Sequence, residues 1–403
     1  MAEPVEEVDV VVVGARCAGT AAAIAFRRAG RSVVALDWAR FPSSTVSTHL
    51  LWAGGVAELE RVGAREWVEA CGAPRLPVGY AEIPGAPAVR ATYTAVEGIR
   101  YGLCVRRPAL DAALVDTARA AGAEIRERTR VGGLIRRNGR VVGVVAREQG
   151  GPPYELRARL VVGADGRGST VARLVGATEP HTSNPNERAC YYAYFDDPHG
   201  DWRSIAAQWR QGAELGTAFP CDGGLTLVLL MPPLHRVPEF KVDRAGAYAD
   251  TIEGIRGLAR RLHGCERRSS IFGAVDLSSY FRHSSGAGWA LVGDAGHFKD
   301  PITAQGIRDA LRFGRLLGEH AAPALDDPAA LDTALGAWER RRDEECLETY
   351  HWTNFVARAE PVGPVDIAMY THFARPEHAH QLLDLHSRIL RPSEVLTPEL
   401  LGG

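Results

Sequence analysis

The sequence predicts an α/β fold in which a parallel-sheet domain with an inserted β-meander stands beside a second β-sheet domain and a helical C-terminal region. Three observations predict it. The β-branched run Val8–Val13 enters a glycine turn, a stretch of helix formers follows, and a second apolar run ends at Asp37, making one βαβ unit of about 30 residues. Between residues 129 and 162 the pattern changes to three successive strands. The α/β pattern then returns at Trp289–Val292, which leads through a loop into a helix.

Each element has its own signal. Ala18–Ala29 are mostly strong helix formers, with Arg27 and Arg28 where cations suit the helix dipole and Gly30 as the stop. Ser32–Leu36 supplies the second strand. Pro108 suits the first helical position, and Leu110, Ala113, Leu114 and Ala118 share one face of a helix that Gly122 ends. Thr129–Ile135 and Arg140–Ala146 flank Asn138-Gly139, a strong hairpin signal, and Gly150–Pro153 turns the chain into Tyr154–Val162. Residues 180–272 are less periodic. They hold the aromatic cluster Tyr191–Phe195 and the strand-like Leu225–Met231, and they read as a substrate-side region. Ile307, Ala310, Leu311 and Leu317 keep helical spacing, and the chain looks helical from about Asp332. The expected boundaries are 1–75, 101–179 and 273–325 for the parallel-sheet domain, 76–100 and 180–272 for the second, and 326–403 for the helical region.

Composition narrows the function. With 403 residues, 46% hydrophobic and 24% charged, the chain can bury a large core. A net charge of -2 shows no basic excess, so nucleic acid is not an expected partner. The acidic start and the shortness of the apolar run Val8–Val13 predict a cytoplasmic protein without stable membrane insertion. Seven singly scattered cysteines, with no C-x-x-C pair, suggest neither a metal site nor a disulfide framework. Lys241 and Lys299 are the only lysines.

Gly14-Ala-Arg-Cys-Ala-Gly19 sits where a G-x-G-x-x-G turn belongs, so the amides around Ala15, Cys17 and Ala18 and the helix N-terminus can face a pyrophosphate. Arg16 stands at the second glycine position and breaks the strict fingerprint. Asp37, 23 residues after Gly14, is placed to accept the hydroxyls of a ribose, which favours FAD or NAD over NADP as the bound nucleotide. Trp38, Arg40 and Val131 complete the expected binding set of this Rossmann-type unit.

Three further segments decide between the cofactors: Arg107-Pro-Ala-Leu-Asp111, Gly163-Ala-Asp-Gly-Arg-Gly-Ser169 and Gly293-Asp-Ala-Gly-His-Phe-Lys-Asp-Pro301. With the glycine turn, in their order and separations, they resemble the flavoprotein monooxygenases of the para-hydroxybenzoate hydroxylase fold. The resemblance implies bound FAD. It gives Arg107 a phosphate or ribose contact, Asp165 and Gly166 a part in binding FAD and the nicotinamide nucleotide, and Asp294 the ribityl or ribose hydroxyls. It sets the helix start at Pro301, Gly306 and Ile307 against the pyrimidine edge of the flavin, where amides and dipole stabilise the reduced anion. Ser43–Leu50 looks like a loop that passes the flavin in related oxidoreductases, which makes His49, like His297, a candidate for proton transfer.

The chemistry implied by the resemblance is NAD(P)H-dependent hydroxylation of an aromatic or polyketide-like molecule of secondary metabolism, with O2, through a flavin C4a-hydroperoxide. Tyr191, Tyr192 and Tyr194 are the candidate pocket wall, although strand alternation lets only some of them face inward. No second glycine-rich unit appears, so the nicotinamide nucleotide is expected only as a transient co-substrate. The alternative is a geranylgeranyl-reductase-like enzyme, which reduces alkenes without consuming oxygen. A flavin-dependent halogenase fits less well, because the W-x-W-x-I-P segment is missing and no lysine lies between Asp37 and Lys241. A prenyl-binding protein without a redox role leaves Asp37, Asp165 and Asp294 without a purpose.

Overall fold

The computed structural model describes residues 6–401. Val8–Val13 extends into the strand Glu6–Val13, whose last four residues are buried on both faces, as a central parallel strand requires. It lies between Pro153–Gly163 and Val33–Leu36. Trp289–Leu291 and Glu124–Arg126 add the parallel neighbours on either side. Thr129–Arg137 and Arg140–Glu148 are antiparallel and attach to this sheet through Pro153–Gly163. Their hairpin turns at Asn138 (φ 51°) and Gly139 (φ 80°), the paired left-handed residues that the sequence signal implies.

A second eight-stranded sheet stands apart. Cys190–Asp196, Leu225–Leu230, Glu214–Pro220, Ile205–Gln211, Val78–Glu82 and Val89–Thr92 follow one another across it. Sequence reading finds its aromatic and apolar strands but not the helices that cover one face, Val237–Val242, Arg244–Gly254 and Arg256–Leu262. These helices bury Phe240, Tyr248 and Leu258 against the sheet.

The helical C-terminal region begins at Pro328, slightly ahead of Asp332, because Asp327 caps the helix by accepting the Ala329 and Ala330 amides; it runs to Val356. Among the described residues, no helix is long and apolar enough to cross a membrane.

Candidate flavin site

Two helix N-termini converge on one cavity. The Cys17–Arg28 helix packs along the Gly306–Ala321 helix through small residues. A Cβ on Gly314 would lie 2.4 Å from the Ala18 carbonyl oxygen, and one on Gly318 would lie 2.5 Å from the Ala25 Cβ. Neither helix start has a side-chain cap, so first-turn amides remain for a ligand. The cavity between the glycine turn, the Ser44–Thr48 loop and the Asp294 loop holds about 610 Å³.

The glycine turn is sterically required. Gly14 has φ 101°, and a Cβ there would sit 2.4 Å from the Ala164 carbonyl oxygen; at Gly19 it would meet the Gly14 oxygen at 1.8 Å. Arg16 does not obstruct the turn. Its guanidinium donates to Ser43 Oγ at 2.8 Å, pairs with Asp111 and stands over the Phe41 ring at 5.5 Å. The backbone therefore stays free to approach a pyrophosphate, despite the missing glycine.

The carboxylates divide by how much of each is already used. Asp37 accepts the Ala15 amide at 2.7 Å and the Ala39 amide at 2.8 Å, one on each oxygen, and each oxygen keeps a second lone pair for a ribose hydroxyl. Asp165 is bound to its own helix: Oδ1 accepts from Ser169 Oγ at 2.5 Å, and Oδ2 accepts the Thr170 and Val171 amides. Asp294 is different. Its backbone oxygen accepts the Tyr280 hydroxyl, but its carboxylate has no hydrogen-bond partner among the described residues and lines the cavity. Burial raises the Asp294 carboxyl, with Arg167, Arg107 and Lys299 opposing. Arg107 spends Nε and Nη2 on Asp111, which leaves Nη1 as its donor for a ligand.

Gly306 opens its helix with nothing within 4 Å of a Cβ placed on it, so the protein's own packing does not account for a glycine there. An unused carboxylate, two uncapped helix starts, a turn that excludes side chains and an unfilled glycine together fit a dinucleotide with a ribityl chain. FAD is that kind of group.

Not every expected residue faces this space. Gly14, Cys17, Ala18, Asp37, Trp38, Arg107, Val131, Asp165, Gly166, Asp294, Pro301, Gly306 and Ile307 line the cavity. Ala15 and Gly19 are buried in the turn, where the Ala15 amide serves Asp37 rather than a phosphate. Arg40 is exposed and outside the lining. Ser44–Thr48, Arg130, Arg167, Cys190, Leu277, Phe298 and Lys299 line the cavity without having been singled out for it. The Ser43–Leu50 loop pattern is the signal that reaches the first of these.

Both histidines lie behind the wall. His49, fully buried at φ 63°, donates from Nδ1 to the Ser47 carbonyl at 2.7 Å, so Nε2 accepts the Tyr194 hydroxyl at 2.7 Å. Burial, with Arg107 beside it, pushes its imidazole down to about 3. The expected proton-transfer role is therefore corrected: the ring is neutral and both nitrogens are engaged. His297 stacks on Phe281 at 5.4 Å and faces Asp309, away from the lining. Lys299 binds that Asp309 at 2.6 Å; burial pushes the Asp309 carboxyl up, but Lys299 and the nearby arginines outweigh it and hold it well below the usual value.

The tyrosines split by strand parity. Tyr192 and Tyr194 turn toward the Ser44–Thr48 loop, where Tyr192 stacks on Phe272 at 5.1 Å and its hydroxyl reaches the Thr45 carbonyl. Tyr191 points the other way and stacks on Phe240 at 4.1 Å beneath the covering helices, so it leaves the candidate pocket.

Fold and site define a dinucleotide-binding flavoprotein. Residues 7–208 match the family model of the FAD binding domain, and the chain belongs to that family. It is similar to a digeranylgeranylglycerophospholipid reductase of Methanocella arvoryzae, 27% identical over 79% of this chain and 78% of the relative. A reductase of the same name, numbered 1, from Methanopyrus kandleri is 27% identical over 88% of this chain and 91% of its own length. Among solved structures, a flavoprotein/dehydrogenase from Cytophaga hutchinsonii superposes with a TM-score of 0.83 at 18% identity, covering 98% of this chain and 95% of the other. The flavin-dependent brominase Bmp2 gives 0.80 at 18%, covering 98% and 97%. At such identities the structures establish the shared fold. The chain is thus an FAD-binding oxidoreductase, similar in sequence to the reductases and sharing its fold with the brominase.

Proposed function

We propose that this protein is a flavin-dependent reductase that adds hydrogen across carbon–carbon double bonds of a prenyl-type chain. One observation carries the reading: the similarity to the digeranylgeranylglycerophospholipid reductases runs through both sheets and into the helical region, across nearly the whole length of the Methanopyrus relative. Aromatic hydroxylation, the activity first expected from the motifs, rests on motifs that both classes share.

FAD, when bound, supplies the two-electron chemistry. The chain's own residues bind it, with Asp294 and Asp37 for hydroxyls and the two helix starts for the pyrophosphate and the anionic ring edge. Val46, Cys190, Leu277 and Phe298 are the apolar lining against which a prenyl chain packs, with Tyr192 and the Phe272 stacked on it behind the Ser44–Thr48 loop. Reducing equivalents come from a transient donor, NAD(P)H being the one that the sequence suggests.

The test is anaerobic. The FAD-loaded protein, reduced chemically, is mixed with a geranylgeranyl glycerophospholipid and the product weighed by mass spectrometry. A gain of two hydrogens per double bond is expected. No gain under these conditions, with labelled oxygen entering a product once isotopically labelled O2 is admitted, would return the protein to the monooxygenases.

A further inference from the structure

The glycine turn carries one side chain for which a dinucleotide has no need. Arg16 stands where the fingerprint has glycine, and its side chain, 21% exposed, leaves the turn and crosses to residues 41–44. Nη2 donates to Ser43 Oγ at 2.8 Å and to the Ser44 carbonyl at 3.5 Å, Nη1 donates to the Ser43 carbonyl at 3.4 Å, and the guanidinium stands over the Phe41 ring at 5.5 Å. Nη1 also pairs with Asp111, a fully buried carboxylate that Arg107 shares.

The segment it reaches has few other attachments. Among the described residues, residues 43–48 make no backbone–backbone hydrogen bond. At the far end His49 is fixed by Ser47 and Tyr194, and its carbonyl accepts the Val105 amide at 3.3 Å. In the middle the Tyr192 hydroxyl reaches the Thr45 carbonyl at 3.4 Å. At the near end Glu127 accepts the Phe41 amide at 3.2 Å, and beyond that point Arg16 supplies every hydrogen bond that Ser43 and Ser44 receive from outside the segment, among the described residues. The segment also has space on both sides. Ser44–Thr48 line the flavin cavity, whereas Pro42 borders an open groove of about 480 Å³ together with Trp67, Cys71 and Arg106.

Charge links this attachment to the cofactor. Arg16 and Arg107 are two cations on one carboxylate, which leaves one net positive charge beside the turn that the diphosphate of FAD approaches. A diphosphate there favours both guanidiniums in place, in a cavity where water screens charge less than in bulk. We propose that Arg16 is a positioning residue that couples FAD binding to the wall formed by residues 43–48. With the diphosphate bound, the guanidinium is held at Ser43 and the wall that a second ligand meets is fixed. By linkage, fixing the wall holds FAD more tightly. The coupling needs only the cofactor, so it is independent of the alkene-reduction reading.

Hydrogen exchange of the segment between Phe41 and Leu50, read by mass spectrometry with and without saturating FAD, measures the coupling with no substrate present. In the unmodified protein FAD should slow exchange of these amides by about 5–150-fold, the usual range for coupling between two sites. Arg16→Gly restores the fingerprint glycine; at saturating concentration it should still take up FAD, with most of the slowing lost. Ser43→Ala removes the loop-side acceptor, leaves every charge in place and should take up FAD with less slowing. The double variant should show no less slowing than R16G, because the two residues act through one contact. Equal slowing in R16G and the unmodified protein overturns the proposal, since the cofactor would then order the segment directly. So does an unmodified segment whose exchange FAD leaves unchanged, and so does a folded R16G that takes up no FAD, which would make Arg16 a cofactor ligand first. If R16G does not fold, S43A decides: unchanged slowing overturns the coupling and reduced slowing supports it. Failure of the alkene test leaves each of these outcomes as it stands.

Discussion

The two walls of the cavity treat their polar groups in opposite ways. On the wall of the first sheet, Asp294 has an unused carboxylate, Gly306 opens an uncapped helix, and Gly14 keeps side chains off the backbone. Behind the facing wall, which the Ser44–Thr48 loop forms, polar atoms are closed on one another: Tyr194 donates to His49, His49 to Ser47, and Tyr192 to Thr45. A fixed charged cofactor needs donors and acceptors waiting for it, whereas an apolar substrate needs a wall with none to spare. The contrast therefore separates what binds FAD from what shapes the second ligand, and each substitution below attacks one side of it.

The largest expected effect concerns the closed groups and pH. Burial pushes His49 and His297 down to about 3 and His386 down to about 4. An unfolded histidine titrates near 6.5, so between these values the unfolded chain binds more protons than the folded one. Stability is then fully present above about pH 6.5 and is lost as pH falls toward 3, by up to about 1.4 kcal/mol per pH unit for each group. Urea unfolding followed from about pH 7 to about pH 4 should show that slope, and His386→Phe should flatten it. A stability curve flat across this window would mean that these rings are not held neutral.

Next comes the turn. Gly14→Ala forces a side chain into a left-handed backbone and against the Ala164 carbonyl. The strain alone is about 1–2 kcal/mol, overpacking adds about 1–3, and FAD retention should fall with stability. Asp294→Ala should separate the two properties. It removes an acceptor that the protein itself does not use, so FAD should bind about 1–3 kcal/mol more weakly while the cofactor-free protein loses no stability. Because burial raises the Asp294 carboxyl, the ionised group penalises folding as pH rises from the ordinary carboxylate range through its folded value, and across that rise the cofactor-free variant should gain on the unmodified protein. Equilibrium dialysis with FAD and paired thermal melts decide both points; equal FAD affinity would show that the open carboxylate is not a cofactor ligand.

These sites were unevenly legible in the sequence. Asp37 and Gly14 are readable because spacing ties them to a strand end, and Asn138-Gly139 because only a few residue types adopt its backbone. Asp294 is found by resemblance, but its freedom from partners is a tertiary fact. His49 misleads for a related reason. Its position in a loop beside the cavity is visible in sequence, whereas the tautomer and the neutral state come from Ser47 and from Tyr194, 145 residues away. Lys299 reads as one more loop residue until the fold brings Asp309 against it. The helices Val237–Leu262 are missed because three short segments, each with few apolar positions, give little periodicity over any one window.

The smallest effect is the most direct test of the closed wall. Tyr194→Phe keeps the ring against Phe272 and removes only the hydroxyl that serves His49 Nε2. The expected loss is about 1 kcal/mol of stability, the ordinary net value of a hydrogen bond. FAD retention should not change, since neither Tyr194 nor His49 lines the cavity. Measured by denaturant unfolding beside FAD titration, a variant that folds well yet fails to hold flavin would place the second sheet among the cofactor's ligands and dissolve the division between the walls. A variant that loses stability alone keeps that division, with Tyr194 acting through His49 to hold the Ser44–Thr48 loop against the cavity.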